Sequence, residues 1–153
     1  MPATCNNHSH SGVHGLLLRV GQSVPEHITI PTTIPLNHLN GVVKSEDTIL
    51  ECKTFSKASN ADTVTYVLFF DENPNPVTDG VNELAMEALM PIWERVGMRG
   101  RGGRMYGNFI LMAMPKVSDG ELDRDEAVPL DMTLDEFTAE FSSERYDWKN
   151  RFA

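Results

Sequence analysis

The sequence predicts an α+β domain: a small antiparallel β-sheet with two main helices packed on one face. Three observations carry this. Two β-branched and aromatic runs, ILECKTF (49–55) and TVTYVLFF (63–70), are separated by the polar stretch SKASNAD. From Asp79 the apolar residues change to helical spacing. Near the end, MTLDEF announces a second helix with a capping signal.

The elements follow in order. Residues 1–15, rich in Asn, Ser, His and Gly, form a flexible N-terminal arm, and residues 16–153 form a single domain. LLLRV (Leu16–Val20) is a short strand. Prolines 25, 31 and 35 exclude a helix or a central strand, so His27–Ile30 is an edge strand followed by an extended apolar loop. The runs 49–55 and 63–70 form an antiparallel pair, and DENPNP stops the second. Val81, Leu84, Ala85, Ala88, Leu89, Ile92, Trp93 and Val96 trace one face of an amphipathic helix with Asp79 as its N-cap. Pro91 interrupts it, which predicts a kink or a restart, and Gly97 closes it. Tyr106–Met114 is a further strand, ended by Pro115. In the last helix Thr133 caps, Glu136 returns the bond, and Met132 staples to Phe137. Its apolar face is Leu134, Phe137, Phe141 and Trp148. The main elements run β, β, β, α, β, α.

A chain of 153 residues is long enough to bury a core. Its longest apolar runs, Tyr66–Phe70 and Phe109–Met114, are far short of the roughly 20 residues a membrane-crossing helix needs. The polar start gives no secretory signal, and two cysteines, Cys5 and Cys52, make no disulfide framework, so an intracellular location with reduced thiols is expected.

The net charge of −9 is uneven. Eleven of the 22 carboxylates lie between Asp119 and Asp147, while Arg95, Arg99, Arg101 and Arg104 crowd into ten positions. Overall acidity argues against coating nucleic acid with the whole surface, because that binding comes from phosphate neutralisation.

No catalytic pattern is recognisable, so catalytic residues and cofactors are expected to be none. Cys52 could meet His27 or His38 only by accident, and Asp71–Glu72 at a strand end reads as a turn. Cys5, His8, His10 and His14 are metal-capable types in a segment without elements to place them. SDGELDRDE resembles half of a calcium loop but lacks its first ligands, Pro115 and Val117 standing there instead. No metal site is expected from either.

VGMRGRGGRMYGNF is the concentrated positive charge. Arginines make bidentate contacts to phosphate or carboxylate, glycines let a backbone come close, and Tyr106 can stack. The segment suits RNA or nucleocapsid, an acidic protein surface (a neighbouring copy's acidic region included), or a plain mobile loop. Its candidate contact residues are Arg95, Arg99, Arg101, Arg104 and Tyr106.

From Thr63 to Lys116 the chain reads as a strand TVTYVLFFDEN, a helix with ALMPIWERV, a basic loop and a strand MYGNFILMAMPK. This order resembles the C-terminal half of rhabdovirus matrix proteins. The resemblance implies a non-enzymatic structural protein of virion and host cytoplasm that self-associates into homo-oligomers and bridges nucleocapsid to envelope. The arm lacks the lysines such proteins use on membranes, and IPTTIP is not a late-domain motif. Self-association would use the apolar Pro-rich stretch, through Ile28, Ile30, Pro31, Ile34, Pro35 and Leu36. The other reading is a small RNA-binding module acting through the Arg/Gly loop.

Overall fold

The structure is a computed structural model that describes residues 13–30, 39–44, 49–57, 61–95, 104–116 and 130–141. Among these residues five strands form one sheet: β1 (Val13–Leu18), β2 (Glu26–Ile30), β3 (Leu50–Phe55), β4 (Val64–Asp71) and β5 (Phe109–Pro115). Three helices among the described residues accompany it: α1 (Asn40–Val43), α2 (Glu83–Arg95) and α3 (Leu134–Phe141). The α+β class therefore stands.

The strand order is β2-β1-β5-β4-β3, with every neighbouring pair antiparallel. β3 and β4 pair as the sequence predicts, and β2 lies at the sheet edge, where flanking prolines are tolerated. The last strand in sequence, β5, is central. Its residues and those of β4 are buried on both faces, which is why FILMAM and YVLFF read as continuous apolar runs rather than alternations.

Two cores result. On one face Leu16, Leu18, Tyr66, Leu68, Phe70, Phe109 and Leu111 pack against Leu84, Ala85, Ala88, Leu89 and Ile92 of α2 and against Phe137 and Phe141 of α3. On the other, Leu17, Ile30, Val67, Phe69, Ile110, Met112 and Met114 pack with Leu39 and Val43. The two main helices thus share one face, while α1 seals a second core that the sequence reading did not anticipate. At Gly15 the neighbouring strands leave no room for a side chain: a Cβ there would lie 2.9 Å from Ile30 Cγ1 of β2 and 3.3 Å from the Leu111 carbonyl oxygen of β5. Among the described residues, no helix is long and apolar enough to cross a membrane.

Several local expectations change. β1 begins at Val13, inside the segment assigned to the arm, because both backbone groups of His14 are held: its N–H donates to Asp131 Oδ1 (2.8 Å) and its carbonyl accepts from Met132 (3.0 Å). α2 runs through Pro91 as one helix of 13 residues. Proline removes a single backbone bond, and burial of Met90 and Ile92 on either side holds the helix together. The N-cap of α2 is Asn82, not Asp79. β5 begins at Phe109 rather than Tyr106, because Gly107 stands at φ 82° and turns the chain. The Gly97 stop, Trp148 and the acidic loop 119–126 lie outside the described residues.

The capping signal of α3 holds: the Thr133 hydroxyl accepts from the Glu136 N–H at 3.0 Å, and the Thr133 backbone supports the Glu136 carboxylate in return. Met132 and Phe137 are both buried in the first core. Glu136 also accepts from the Tyr66 hydroxyl at 3.2 Å. Burial nevertheless raises its pKa above the ordinary value, and the nearby charges of Glu140 and Asp131 add to the rise. A raised carboxylate pKa means that folding favours the protonated form, so this group's contribution declines as pH climbs through the folded pKa. Glu136→Gln, which keeps the acceptor, is therefore expected to raise stability at pH 7. The gain should vanish as pH falls below the ordinary carboxylate range, which urea titrations at both pH values would read. An equal effect at both would exclude a charge origin.

Candidate contact site at the helix-to-strand connection

The connection from α2 to β5 contains the basic segment, and the structure shows how its returning end is built. Asn82 sits fully buried at the start of α2. Its Nδ2 donates to the carbonyls of Leu18 and Gly107, each at 2.8 Å, and its Oδ1 accepts from the Ala85 N–H at 2.9 Å. Its backbone N–H donates to the Met105 carbonyl at 2.8 Å, and its own carbonyl accepts from Met86 at 3.0 Å. An amide has two donors and an acceptor on its side chain, and all are used here. One residue thereby joins the end of β1, the first turn of α2 and the approach to β5.

Two glycines complete the joint. Gly107 N–H donates to the Gly80 carbonyl at 2.9 Å, and both residues have positive φ, 82° and 79°. Val81 and Tyr106 form a β-bridge beside them, and Asn108 Oδ1 accepts from Val20 at 2.9 Å. Met105 is fully buried, so the chain returns to the core immediately after Arg104.

Of the residues singled out from sequence, Arg95 ends α2, Arg104 is half-exposed, and Tyr106 is half-buried. Arg99 and Arg101 lie outside the described residues. The structure thus brings Arg104 and Tyr106 to one anchored segment. In the self-association set, Ile30 is fully buried in the second core and has no surface to offer, and Ile28 packs against that core. Pro31, Ile34, Pro35 and Leu36 lie outside the described residues.

A cleft of about 180 Å³ adjoins the joint, lined by Val43, Lys44, Asp71, Thr78, Asp79, Gly107 and Asn108. Lys44 Nζ bridges Asp71 Oδ2 at 3.2 Å and Asp79 Oδ2 at 3.3 Å. Those hydrogen bonds, to Asp71 first, raise the lysine pKa above its ordinary value. The cleft is thus lined by an ion cluster that keeps one negative charge in excess: one ammonium holds two carboxylates together and ties the end of α1 to the end of β4. Asp71 Oδ1 also accepts from the Asn73 N–H at 2.9 Å, the turn expected from its position at a strand end.

Among the described residues, the cysteine and histidine weighed together from the sequence lie far apart. His27 lies on β2 and Cys52 on β3, at opposite edges of the sheet. Four strand spacings of roughly 4.8 Å separate those edges by about 19 Å, so the two cannot meet. His38 lies outside the described residues, as do Cys5, His8 and His10. His14 faces His27 with ring centroids 4.8 Å apart and shares a 2.9 Å contact with Asp131. Neither Asn82 nor Lys44 stood out in the sequence. For Asn82 the signal was local: an asparagine following Gly80-Val81 and placed three residues before the buried Ala85 fits an N-cap better than Asp79 does.

Compared with protein-family models, curated proteins and solved structures, the chain shows no significant match to any.

Proposed function

We propose that this chain is a non-enzymatic assembly protein of viral matrix type. It associates with itself and touches an acidic partner (nucleocapsid, or an acidic protein surface) through the connection carrying Arg95, Arg99, Arg101 and Arg104. The observation that supports this reading is the anchored base of that connection. Arg104 emerges directly from a joint built on buried Asn82 and two positive-φ glycines, in a protein of net charge −9. An anchored base lowers the ordering cost of contact, and local positive charge in an acidic protein steers negative surfaces to one place. Membrane contact is a weaker part of the reading, since polybasic attraction needs more lysine and arginine than this segment carries.

An acidic protein partner fits better than RNA as a base-stacking ligand. Tyr106, the aromatic residue next to the arginines, is half-buried and bridged to Val81, so it offers less face than a stacking platform needs. The test is the variant Arg99→Gln/Arg101→Gln/Arg104→Gln, assayed against a single-stranded RNA homopolymer and against polyglutamate. Binding to polyglutamate should be lost. Any RNA binding should lose about 2 from its slope of log affinity against log salt, the share of three phosphate contacts. Equal binding of both probes by parent and variant would remove the connection from the contact surface.

A further inference from the structure

We propose that the outer edge of β3 pairs antiparallel with β3 of a second copy, about a two-fold axis at Cys52, joining two sheets into one. The proposal rests on the self-association reading and names its surface.

β3 is an outer strand of the described sheet, its inner side satisfied by β4. The Glu72 N–H donates to the Ile49 carbonyl at 3.0 Å, which makes Ile49–Glu72 a hydrogen-bonded pair. Antiparallel pairs alternate, so Glu51 and Lys53 also turn their backbone groups inward, while Leu50, Cys52 and Thr54 turn theirs outward. An outer edge presenting donors and acceptors in this way is a template for another strand.

Charge then selects the register. Centring on Leu50 or Thr54 leaves a single outward pair within β3, so a second β3 forms more than one only about Glu51, about Cys52 or about Lys53. The first sets Glu51 against Glu51, and the third sets Lys53 against Lys53, both disfavoured. Centring on Cys52 sets each Glu51 opposite the second copy's Lys53 in the closer, non-hydrogen-bonded position, and all three outward residues pair. Glu51 and Lys53 already lie 3.4 Å apart within one chain and are partly exposed, so two copies build an alternating ladder of four charges. Ile49, 68% exposed, comes opposite the end of the second strand, where pairing would cover it. At the other outer strand, β2, a pairing about Ile28 sets His27 against Thr29, which selects nothing.

The register makes a geometric prediction. A hydrogen-bonded antiparallel pair holds its two Cα atoms about 5.5 Å apart, within the span of a disulfide. In full-length protein carrying Cys5→Ser, copper-phenanthroline and oxygen should join Cys52 to Cys52, two thiols giving up two protons and two electrons. Glu51→Lys and Lys53→Glu should each weaken the dimer about tenfold in sedimentation velocity, because symmetry doubles every like-charge contact. The double exchange should restore it. Thr54→Pro, which removes an outward N–H and no internal bond, should abolish dimerisation while leaving the circular dichroism of the monomer intact. Oligomers that form but ignore all four variants would overturn this surface and leave self-association standing. A monomer at every concentration would overturn both.

Discussion

Asn82→Leu is expected to lower the unfolding free energy by about 3 kcal/mol, from the loss of an N-cap and of two buried hydrogen bonds. Leucine has the branching of asparagine and a larger volume, so the substitution leaves no void and the loss is not a cavity effect. The carbonyls of Leu18 and Gly107 lose their side-chain donors, and the Ala85 N–H loses its acceptor, all at a fully buried position. Asn82→Asp is the sharper test, since it keeps the shape and still caps the helix. Its carboxylate, however, faces two carbonyl oxygens that had been 2.8 Å from a donor. Folding then raises the new group's pKa, so the variant should be least stable near pH 7 and recover as acid protonates it. Urea unfolding at pH 7 and pH 4 measures this directly. A variant as stable as the parent at pH 7 would mean that the amide is not oriented as described. Hydrogen exchange adds a functional reading: the Gly107 amide, bonded to Gly80, should lose protection in either variant, because the joint that seats Arg104 has been opened.

The same joint shows where sequence reading stops. Period and composition are local, and what is local was legible: the β3–β4 pair from its β-branched and aromatic runs, β5 as a strand from its apolar run, and α3 from Thr133 and Glu136. Strand order is not local. Nothing between Phe109 and Pro115 announces that this strand threads between β1 and β4, and it is that placement which brings Gly107 to Asn82 and Leu18. The second core shares this origin, since Leu39 and Val43 carry no helical period in so short an element. Of the candidate site, charge was legible and anchorage was not. Arg104 could be counted in the sequence, whereas the buried amide that fixes its position resembles any polar residue before a helix. Pro91 erred in the opposite direction, a strong local signal overridden by burial of its neighbours.

The dependence of short elements on tertiary contact makes Phe141→Ala the other large effect, expected at about 4 kcal/mol. The eight described residues of α3 are well below the length at which a helix holds in water alone, so what they bury matters to their persistence. Its buried anchors are Phe137 and Phe141. The Phe141 ring is fully buried, stacked on Phe137 at 5.3 Å and edge-on to Tyr66 at 5.4 Å and Phe55 at 6.2 Å. Lys57 Nζ lies 4.8 Å from its centroid, a cation over an aromatic face in a buried setting. Truncation removes the ring from four partners at once, while β3 and β4, which supply Phe55 and Tyr66, are held by their own ladder and cannot close the gap. Two outcomes are separable. If α3 undocks while the sheet survives, the amides of residues 137–141 lose exchange protection and those of β4 and β5 keep theirs. If the first core fails as a unit, protection falls everywhere and the urea midpoint drops with an unchanged slope. Shared burial of α2 and α3 in one core favours the second. Val77→Ala, at a side chain 90% exposed, should leave both measurements unchanged. A Phe141→Ala protein within 1 kcal/mol of its parent would show that α3 is not docked through this ring.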